Sequence, residues 1–115
     1  MRTTNAGLRA EQVVADYLVK QGWKLLARNW KRTRCEIDVV AKYKRTVYFV
    51  EVKFRSTEFQ GDGLAYITQN KLKQMKFAAQ VWCNDNQWTG DYRLLGASVE
   101  PYLEDFRIKE IVDIS

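Results

Sequence analysis

The stretch that decides the fold is Val47-Tyr-Phe-Val-Glu-Val-Lys-Phe54, an almost unbroken apolar run that contains Glu51 and Lys53. Its β-branched and aromatic residues predict a strand, and apolar side chains on both alternating faces predict that this strand is buried in a sheet. Alternation places Glu51 and Lys53 on one face, with Cα atoms about 6–7 Å apart. The two charges are therefore either a cross-strand ion pair on a solvated face or a functional pair.

A second strand precedes this one along the chain. Cys35 to Lys42 is rich in Val and Ile, and the short polar turn Lys42-Tyr43-Lys44-Arg45 separates it from Thr46 to Phe54, which predicts a β-hairpin. Two registers bring Asp38 to the face of Glu51, because one places Asp38 diagonal to Glu51 and the other places it directly opposite. A shift by one residue would send Asp38 to the other face.

Both favourable registers bring two carboxylates and one ammonium group together. Two neighbouring carboxylates repel, and a raised pKa or a bound hard cation resolves the conflict. The hairpin therefore makes a metal site feasible, with Asp38 and Glu51 as ligands and the backbone carbonyl of Val52 as a third oxygen. Mg²⁺ suits such ligands because it prefers oxygen and keeps several waters, and Mn²⁺ accepts similar ones. Lys53 would orient the metal-bound water or share the developing negative charge.

The rest of the chain is divided by periodicity and turn residues. The predicted elements are a helix from Ala6 to Gln21 with Asn5 as N-cap, a weaker strand from Trp23 to Trp30, a loop from Arg55 to Gly63, a helix from the N-cap Thr68 to about Cys83, a turn from Asn84 to Asp91, a strand from Tyr92 to Val99, and a strand or short helix from Phe106 to Ile114. This order, αβββαβ(β/α), predicts a single α/β domain over residues 1–115, a three-layer α/β/α sandwich with a mixed central sheet.

Composition excludes several kinds of chemistry. The 115 residues fit one domain, and the absence of histidine excludes an imidazole base or a histidine metal ligand. Cys35 and Cys83 cannot complete a zinc tetrad, and they favour a reduced, cytoplasmic setting. No hydrophobic run is longer than four residues, as in Val47 to Val50, so we expect neither a signal peptide nor a membrane span.

The net charge of +5 is concentrated in one part of the chain. Lys20 to Arg55 contains eleven basic residues and three acids, a net charge of +8, which leaves −3 for the remainder. Such a stretch is either a solvated face or a surface that binds a polyanion, most commonly nucleic acid. The residues that we expect to contact nucleic acid are Arg28, Lys31, Arg32, Arg34 and Arg55, together with Lys71 near the start of the second helix.

Glu11 is a further anomaly, because Val14, Ala15 and Leu18 follow it on the apolar stripe of the first helix. An unpaired charge is costly there, so Glu11 either reaches solvent or a lysine, or belongs to the site. The aromatic side chains divide in a similar way. We expect three tryptophans in the core, and one in a polar loop that could stack on an exposed base; these are Trp23, Trp30 and Trp82, and Trp88 respectively.

Taken together, these residues resemble the Asp…Glu-x-Lys signature of restriction-endonuclease-like, PD-(D/E)XK, nucleases. Over residues 7 to about 99 the chain resembles more closely the YraN family of endonuclease-like proteins, which is similar to archaeal Holliday junction resolvases. The resemblance rests on Gly7-x-x-Ala10-Glu11-x-x-Val14-Ala15-x-Tyr17-Leu18, Ala27-Arg28-Asn29-Trp30-Lys31, Glu36-Ile37-Asp38, Phe49-Val50-Glu51-Val52-Lys53-x-Arg55-Ser56, and Ile67-x-x-x-Lys71 leading to Ala78-Ala79.

The resemblance implies a restriction-endonuclease-like core in which Asp38 and Glu51 bind Mg²⁺, Lys53 is the catalytic lysine and Glu11 completes the site. It implies hydrolysis of DNA, with branched or junction DNA as one candidate substrate and a homodimer as an expectation by analogy. The alternative is a catalytically weak protein of the same fold that acts as a nucleic-acid-binding or assembly module. The family usually has glycine where this chain has Cys35, and a positive φ there would strain a cysteine.

Overall fold

The computed structural model of the protein describes residues 5–55 and 67–115. Its element order confirms the predicted α/β class, and the last element, left open between strand and helix, is a strand. The predicted loop from Arg55 to Gly63 lies outside the described residues, apart from Arg55. The elements are α1 (Asn5–Lys20), β1 (Lys24–Arg32), β2 (Cys35–Tyr43), β3 (Thr46–Phe54), α2 (Gln69–Asp85), β4 (Asp91–Tyr102) and β5 (Asp105–Asp113).

The five strands form one mixed sheet in the spatial order β1-β2-β3-β4-β5. Only the pairing of β3 with β4 is parallel, and the other three pairings are antiparallel. A parallel pair needs a long crossover between its strands, and α2 lies within this one. The predicted mixed sheet is therefore confirmed.

The two helices pack against separate hydrophobic clusters. Neighbouring residues of β2 belong to different clusters, Val39 to the α1 cluster and Val40 to the α2 cluster, as the alternation of a strand requires. The α1 cluster contains Ala10, Val14, Leu18, Val39, Ala41, Val50, Leu95, Ala97 and Val99. The α2 cluster contains Ile37, Val40, Val47, Phe49, Met75, Ala78, Ala79, Trp82 and Leu94.

The β2–β3 hairpin adopts one of the two registers expected from the sequence. Val39 pairs with Val50, and the pairing continues to Tyr43 and Thr46 around the two-residue turn at positions 44–45. Lys44 has a φ of 55°, the left-handed conformation that tight hairpin turns require. Continued by one step, this register would place Asp38 directly opposite Glu51.

The turn between β1 and β2 answers the question raised by the missing glycine. The residue with a left-handed backbone is Arg34, with a φ of 72°. Cys35 lies in β2, pairs with Arg32 and does not have a positive φ. The cysteine therefore introduces no backbone strain at the position where the family usually has glycine.

The tryptophans divide almost as predicted. Trp82 is buried in the α2 cluster, while Trp23 and Trp30 are partly buried against the α1 and α2 clusters. Trp88 is half-buried against the α2 cluster, and its indole N–H donates to the carbonyl of Asp91 at 3.0 Å.

Candidate functional site

The candidate site begins where β2 and β3 stop pairing. The described pairing ends at Val39 and Val50, and beyond it the Asp38 Oδ2 atom accepts a hydrogen bond from the backbone N–H of Val52 at 2.8 Å. The Asp38 side-chain oxygen thus replaces the β2 backbone carbonyl that would accept this hydrogen bond if the two strands continued to pair. This bond fixes the Asp38 side chain in the opening between the two strands.

Glu51 lies beside this opening and contacts the second helix. Its carboxylate forms an ion pair with Lys71 Nζ at 2.5 Å, and the Glu51 side chain is 16% exposed. The predicted N-cap is confirmed, because Thr68 Oγ1 accepts a hydrogen bond from the Lys71 backbone N–H at 3.1 Å. This cap fixes the first turn of α2, and the same turn carries the Lys71 side chain to Glu51.

The two carboxyl groups interact directly. Burial and then the Glu51 carboxylate raise the pKa of Asp38 from 3.8 to about 8, against the opposing effect of the Val52 N–H. A hydrogen bond between the Asp38 and Glu51 side chains also raises the pKa of Asp38. Without a bound cation, Asp38 therefore keeps a proton near neutral pH, as expected for two carboxyls that cannot both ionise at close range.

Glu11 is buried on α1, in agreement with its predicted place on the apolar stripe, and only 5% of the residue is exposed. Burial raises the pKa of Glu11, while a side-chain hydrogen bond with Asn29 lowers it. The Oε1 atom of the Glu11 carboxylate is buried without a hydrogen-bond partner. Glu11 also raises the pKa of Asp38, so its charge is within electrostatic reach of the carboxyl pair.

The donor set decides which metal could bind here. Within residues 5–55 and 67–115, no group of three or more histidine, cysteine, aspartate or glutamate side chains is close enough to hold a metal ion. The two carboxyl groups of Asp38 and Glu51 do not suit zinc, which takes three or four protein ligands. Mg²⁺ commonly binds through one or two carboxylates and keeps several waters, so Asp38 and Glu51 fit it. The unpartnered Oε1 of Glu11 is an additional acceptor for a ligating water.

A basic cleft of about 390 Å³ opens beside Glu51. One side is formed by the turn between β1 and β2, and the other by the first two turns of α2. Cys35 and Met75 contribute less polar surface to its lining. Its charged lining residues are Lys31, Arg32, Arg34, Glu36, Glu51 and Lys71; we refer to this feature as the basic cleft.

Four of the six residues expected to contact nucleic acid line the basic cleft: Lys31, Arg32, Arg34 and Lys71. The other two lie elsewhere. Arg28 packs against α1, where its Nη1 donates to Gln12 Oε1 at 2.5 Å. Arg55 is half-buried, and its backbone N–H donates to the Val99 carbonyl at 2.8 Å. The structure thus places Arg28 in a contact between elements.

The structure places the two candidate lysines of the site differently. Lys53, which the sequence predicts as the catalytic lysine, is exposed and is not among the residues that line the basic cleft. Lys71, which the sequence allows to point either at phosphate or at the site, pairs with Glu51. Its position three residues after the cap residue Thr68 indicated the first turn of a helix, but no local pattern could indicate that this turn faces β3.

The site consists of a carboxyl pair beside a basic cleft, in an α/β protein with a mixed sheet. The family of the chain follows from its match to a family model. The model described as "Uncharacterised protein family UPF0102" matches residues 10–108. The chain belongs to this family, which supports the resemblance to YraN proteins.

Individual relatives carry the same family name. A UPF0102 protein of Methylococcus capsulatus is 35% identical over 95 residues, which are 83% of this chain and 77% of that protein. A UPF0102 protein of Mycolicibacterium vanbaalenii is 40% identical over 76 residues, 66% of this chain and 63% of that protein. A third, of Trichlorobacter lovleyi, is 41% identical over 78 residues, 67% of this chain and 61% of that protein.

The matched region therefore spans less than two thirds of the length of the last two relatives.

No helix among the described residues is long and apolar enough to cross a bilayer.

Proposed function

We propose that this protein is a magnesium-dependent DNA endonuclease of the restriction-endonuclease-like class, with the three-layer arrangement of that fold. One observation carries the proposal: the strands β2 and β3 stop pairing at a partly buried carboxyl pair, Asp38 and Glu51, which lies beside a basic cleft. Carboxylates near neutralising cations are the arrangement that metal-assisted phosphodiester hydrolysis requires. A chain without histidine has no imidazole for the same chemistry.

Asp38 and Glu51 would hold the metal, and the backbone carbonyl of Val52 is the third candidate oxygen. A bound Mg²⁺ ion supplies Lewis-acid polarisation of the phosphodiester and a lowered pKa for a coordinated water, and Mn²⁺ supplies the same chemistry. Asp38 is already oriented for this role by the Val52 N–H. Without a bound cation, the ion pair with Lys71 holds the Glu51 carboxylate in place.

The remaining polar residues have supporting roles in this proposal. Lys53 follows Glu51 by two residues on β3 and would stabilise negative charge on the phosphate once DNA is bound. Glu11, with its buried and unpartnered Oε1, would accept a hydrogen bond from a ligating water. Both roles use side chains on elements that pack against the opening between β2 and β3.

The basic cleft supports nucleic acid as the class of substrate. Lys31, Arg32 and Arg34 lie beside Glu51 and would contact phosphates on either side of the scissile bond. These contacts do not read base sequence, which favours recognition of DNA by its shape, such as a branch or junction. A two-fold homodimer would present two such sites to the arms of a junction.

The direct test is a cleavage assay. The wild-type protein is incubated with plasmid, single-stranded, flap and four-way-junction DNA in Mg²⁺, Mn²⁺ or EDTA. We expect cleavage of at least one substrate with either metal, none in EDTA, and a loss of at least about 100-fold in Asp38→Ala and Lys53→Ala. Glu104→Gln, which changes an exposed carboxylate in the β4–β5 turn, is the matched control and should cleave normally.

The assay also contains the result that would reject the proposal. Cleavage that persists in both site variants would point to a contaminating nuclease. No cleavage of any substrate by the wild type would remove the enzymatic assignment.

A binding or assembly module is the second candidate, and a specific contact favours it. Lys71 forms an ion pair with Glu51, so this carboxylate has a neutralising partner without a metal. This function predicts junction binding that EDTA and Asp38→Asn leave unchanged and that high salt weakens. A gel-shift titration in Mg²⁺ and in EDTA, run beside the cleavage assay, separates the two candidates.

A further inference from the structure

A second group of basic residues lies at the end of the sheet where β2 turns into β3. The connection from α1 to β1 packs there, because Trp23 stacks on Tyr43 with ring centroids 5.3 Å apart. Five of the eleven basic residues between Lys20 and Arg55 lie at this end, and all five are outside the lining of the basic cleft. We refer to them as the turn-end surface: Lys20, Lys24, Lys42, Lys44 and Arg45.

The turn-end surface has no counter-charge in the described part of the chain. Within residues 5–55 and 67–115, none of its five cations forms an ion pair with a carboxylate. The sheet register brings an acid, Asp91, to this end opposite Thr46, but it is not in ion-pair contact with any of the five. In the basic cleft, by contrast, Lys71 pairs with Glu51. The turn-end surface is therefore a concentration of positive charge that the described residues leave unpaired.

The register of β1 and β2 adds to this concentration. Lys24 and Lys42 are direct cross-strand partners, and like charges in directly opposite positions destabilise a sheet. Ala41 packs in the α1 cluster, so alternation places its neighbour Lys42 on the α2 face. The basic cleft is also on the α2 face, where Met75 lines it. A lysine pair that is unfavourable for folding thus shares a face of the sheet with the basic cleft.

Aromatic rings orient two of these ammonium groups. Lys42 Nζ lies 5.2 Å from the centroid of the Trp88 ring, and Lys44 Nζ lies 5.4 Å from the centroid of the Tyr43 ring. The face of a ring attracts a cation through its quadrupole but does not neutralise it. Both ammonium groups are therefore held by the protein and keep their full charge for an anion.

The distance between the two basic regions suits one DNA segment. β1 is the edge strand of the sheet, and it runs from Lys24 in the turn-end surface to Lys31 in the basic cleft. These seven steps along a strand cover roughly 20 Å. Phosphates follow one another at about 3.4 Å along each strand of DNA, so this distance corresponds to about six nucleotides. One duplex that lies along the sheet edge can contact both regions.

We propose that the turn-end surface binds the DNA backbone about six nucleotides away from the phosphates in the basic cleft, with the duplex lying along β1. This inference deepens the proposed function and rests on it for the identity of the polyanion. Contacts with phosphates add affinity and fix the orientation of the duplex without reading its sequence. On a branched substrate, the turn-end surface holds one arm and so sets the position of the branch relative to Glu51.

The test compares DNA of two lengths by fluorescence anisotropy in EDTA, which prevents cleavage. The long probe is a duplex of about 20 base pairs, and the short probe is a hairpin with a stem of about five base pairs, which cannot reach both regions. We expect Lys24→Gln/Lys44→Gln to bind the long probe about tenfold more weakly and to lower the slope of log affinity against log salt concentration by about two. Binding of the short probe should change by no more than about twofold, because it occupies one region at a time.

Lys76→Gln/Lys109→Gln is the matched control, since it removes two exposed lysines, and the same charge, from α2 and β5. It should leave the affinity for both probes unchanged. A further variant, Lys24→Glu, separates binding from folding because it places an acid opposite Lys42. Its melting temperature should equal or exceed that of the wild type, while its affinity for the long probe falls at least about tenfold.

The outcomes distinguish this inference from the proposed function. A wild type that binds neither probe overturns both. Long-probe binding that is unchanged in Lys24→Gln/Lys44→Gln, or equally weakened in the control, overturns the turn-end surface alone. The same follows if Lys24→Glu loses affinity only together with a lower melting temperature. The expected losses in a protein that cleaves no DNA in Mg²⁺ would support the turn-end surface and reject the endonuclease assignment.

Discussion

The two halves of the β2–β3 hairpin differ in strand pairing and in the polarity of their side chains. Near the turn, the strands pair without interruption from Val39/Val50 to Tyr43/Thr46. The apolar side chains of this half are almost fully buried: Val39, Val40, Ala41, Val47, Phe49 and Val50. At the other end the strands no longer pair, and the Asp38 side chain accepts a hydrogen bond from the Val52 backbone N–H instead.

The difference shows where stability and chemistry are placed in this fold. In the turn half, strand propensity, hydrophobic pattern and pairing all agree, which is the condition for a well-specified structure. In the open half, two partly buried carboxyl groups lie close together, and the pKa of Asp38 is raised to about 8. Substitutions in the two halves should therefore have opposite effects on the stability of the metal-free protein.

The largest effect is expected in the turn half. Phe49 is 1% exposed and makes edge contacts with Trp82 and Tyr92. Phe49→Ala should lower the free energy of unfolding by about 3–5 kcal/mol, because it removes buried surface and leaves a cavity. Urea denaturation measures this loss. A loss below about 1 kcal/mol would mean that the α2 cluster is not closely packed around this ring.

The opposite sign is expected in the open half. Asp38→Asn keeps an acceptor for the Val52 N–H and a donor for Glu51, and it removes the buried ionisable group. We expect the metal-free variant to be more stable than the wild type at pH 8, by about 1–3 kcal/mol. The measurement is urea denaturation in EDTA. An Asp38→Asn protein less stable than the wild type at pH 8 would contradict the account.

The pH dependence follows from the same group. The pKa of Asp38 is 3.8 ordinarily and about 8 in the folded chain. Between these values the folded chain holds a proton that the unfolded chain has released, so the free energy of unfolding of the metal-free wild type should fall as pH rises. Asp38→Asn should flatten this slope, and Glu104→Gln should not.

A smaller effect should be measurable at Lys71, whose ammonium group shares Glu51 with any incoming cation. Lys71→Met removes this competitor and retains an unbranched side chain. We expect Mg²⁺ to bind about fivefold to tenfold more tightly, which corresponds to the roughly 1 kcal/mol of a partly exposed ion pair. Calorimetry measures the change. Weaker Mg²⁺ binding in Lys71→Met would show that the lysine supports the cation site.

The smallest effect is expected at the rim of the basic cleft. Arg34 is exposed in the β1–β2 turn and lines the cleft. Arg34→Ala should reduce the slope of log affinity against log salt concentration by about one, as for a lost phosphate contact. Fluorescence anisotropy with junction DNA at several salt concentrations measures the slope. Arg93→Ala, whose arginine pairs with Asp113 on β4–β5, is the control and should leave the slope unchanged.

Much of this architecture is predictable from the sequence because it depends on local patterns. The alternation around Phe49 and the polar turn after β2 predict the hairpin, and Thr68 predicts the start of α2. The order of hydrophobic segments predicts the α/β class. The choice between two hairpin registers was not predictable, because both place Asp38 and Glu51 on one face.

The remaining differences arise from contacts between distant segments. The burial of Glu11 within electrostatic reach of Asp38 depends on how α1 packs against the sheet. The contact of Lys71 with Glu51 depends on how α2 packs against the sheet. Neither follows from strand or helix periodicity, which describes only the neighbours of a residue within its own element.

The proposed function requires a cation site, formed by Asp38 and Glu51, at the open end of the hairpin. Calorimetric titration of Mg²⁺ into the wild type, Asp38→Asn and Glu104→Gln tests it most directly. We expect about one ion per chain for the wild type and for Glu104→Gln, and no saturable binding for Asp38→Asn, since an amide is a poor ligand for Mg²⁺. No binding by the wild type, or equal binding by Asp38→Asn, would contradict it.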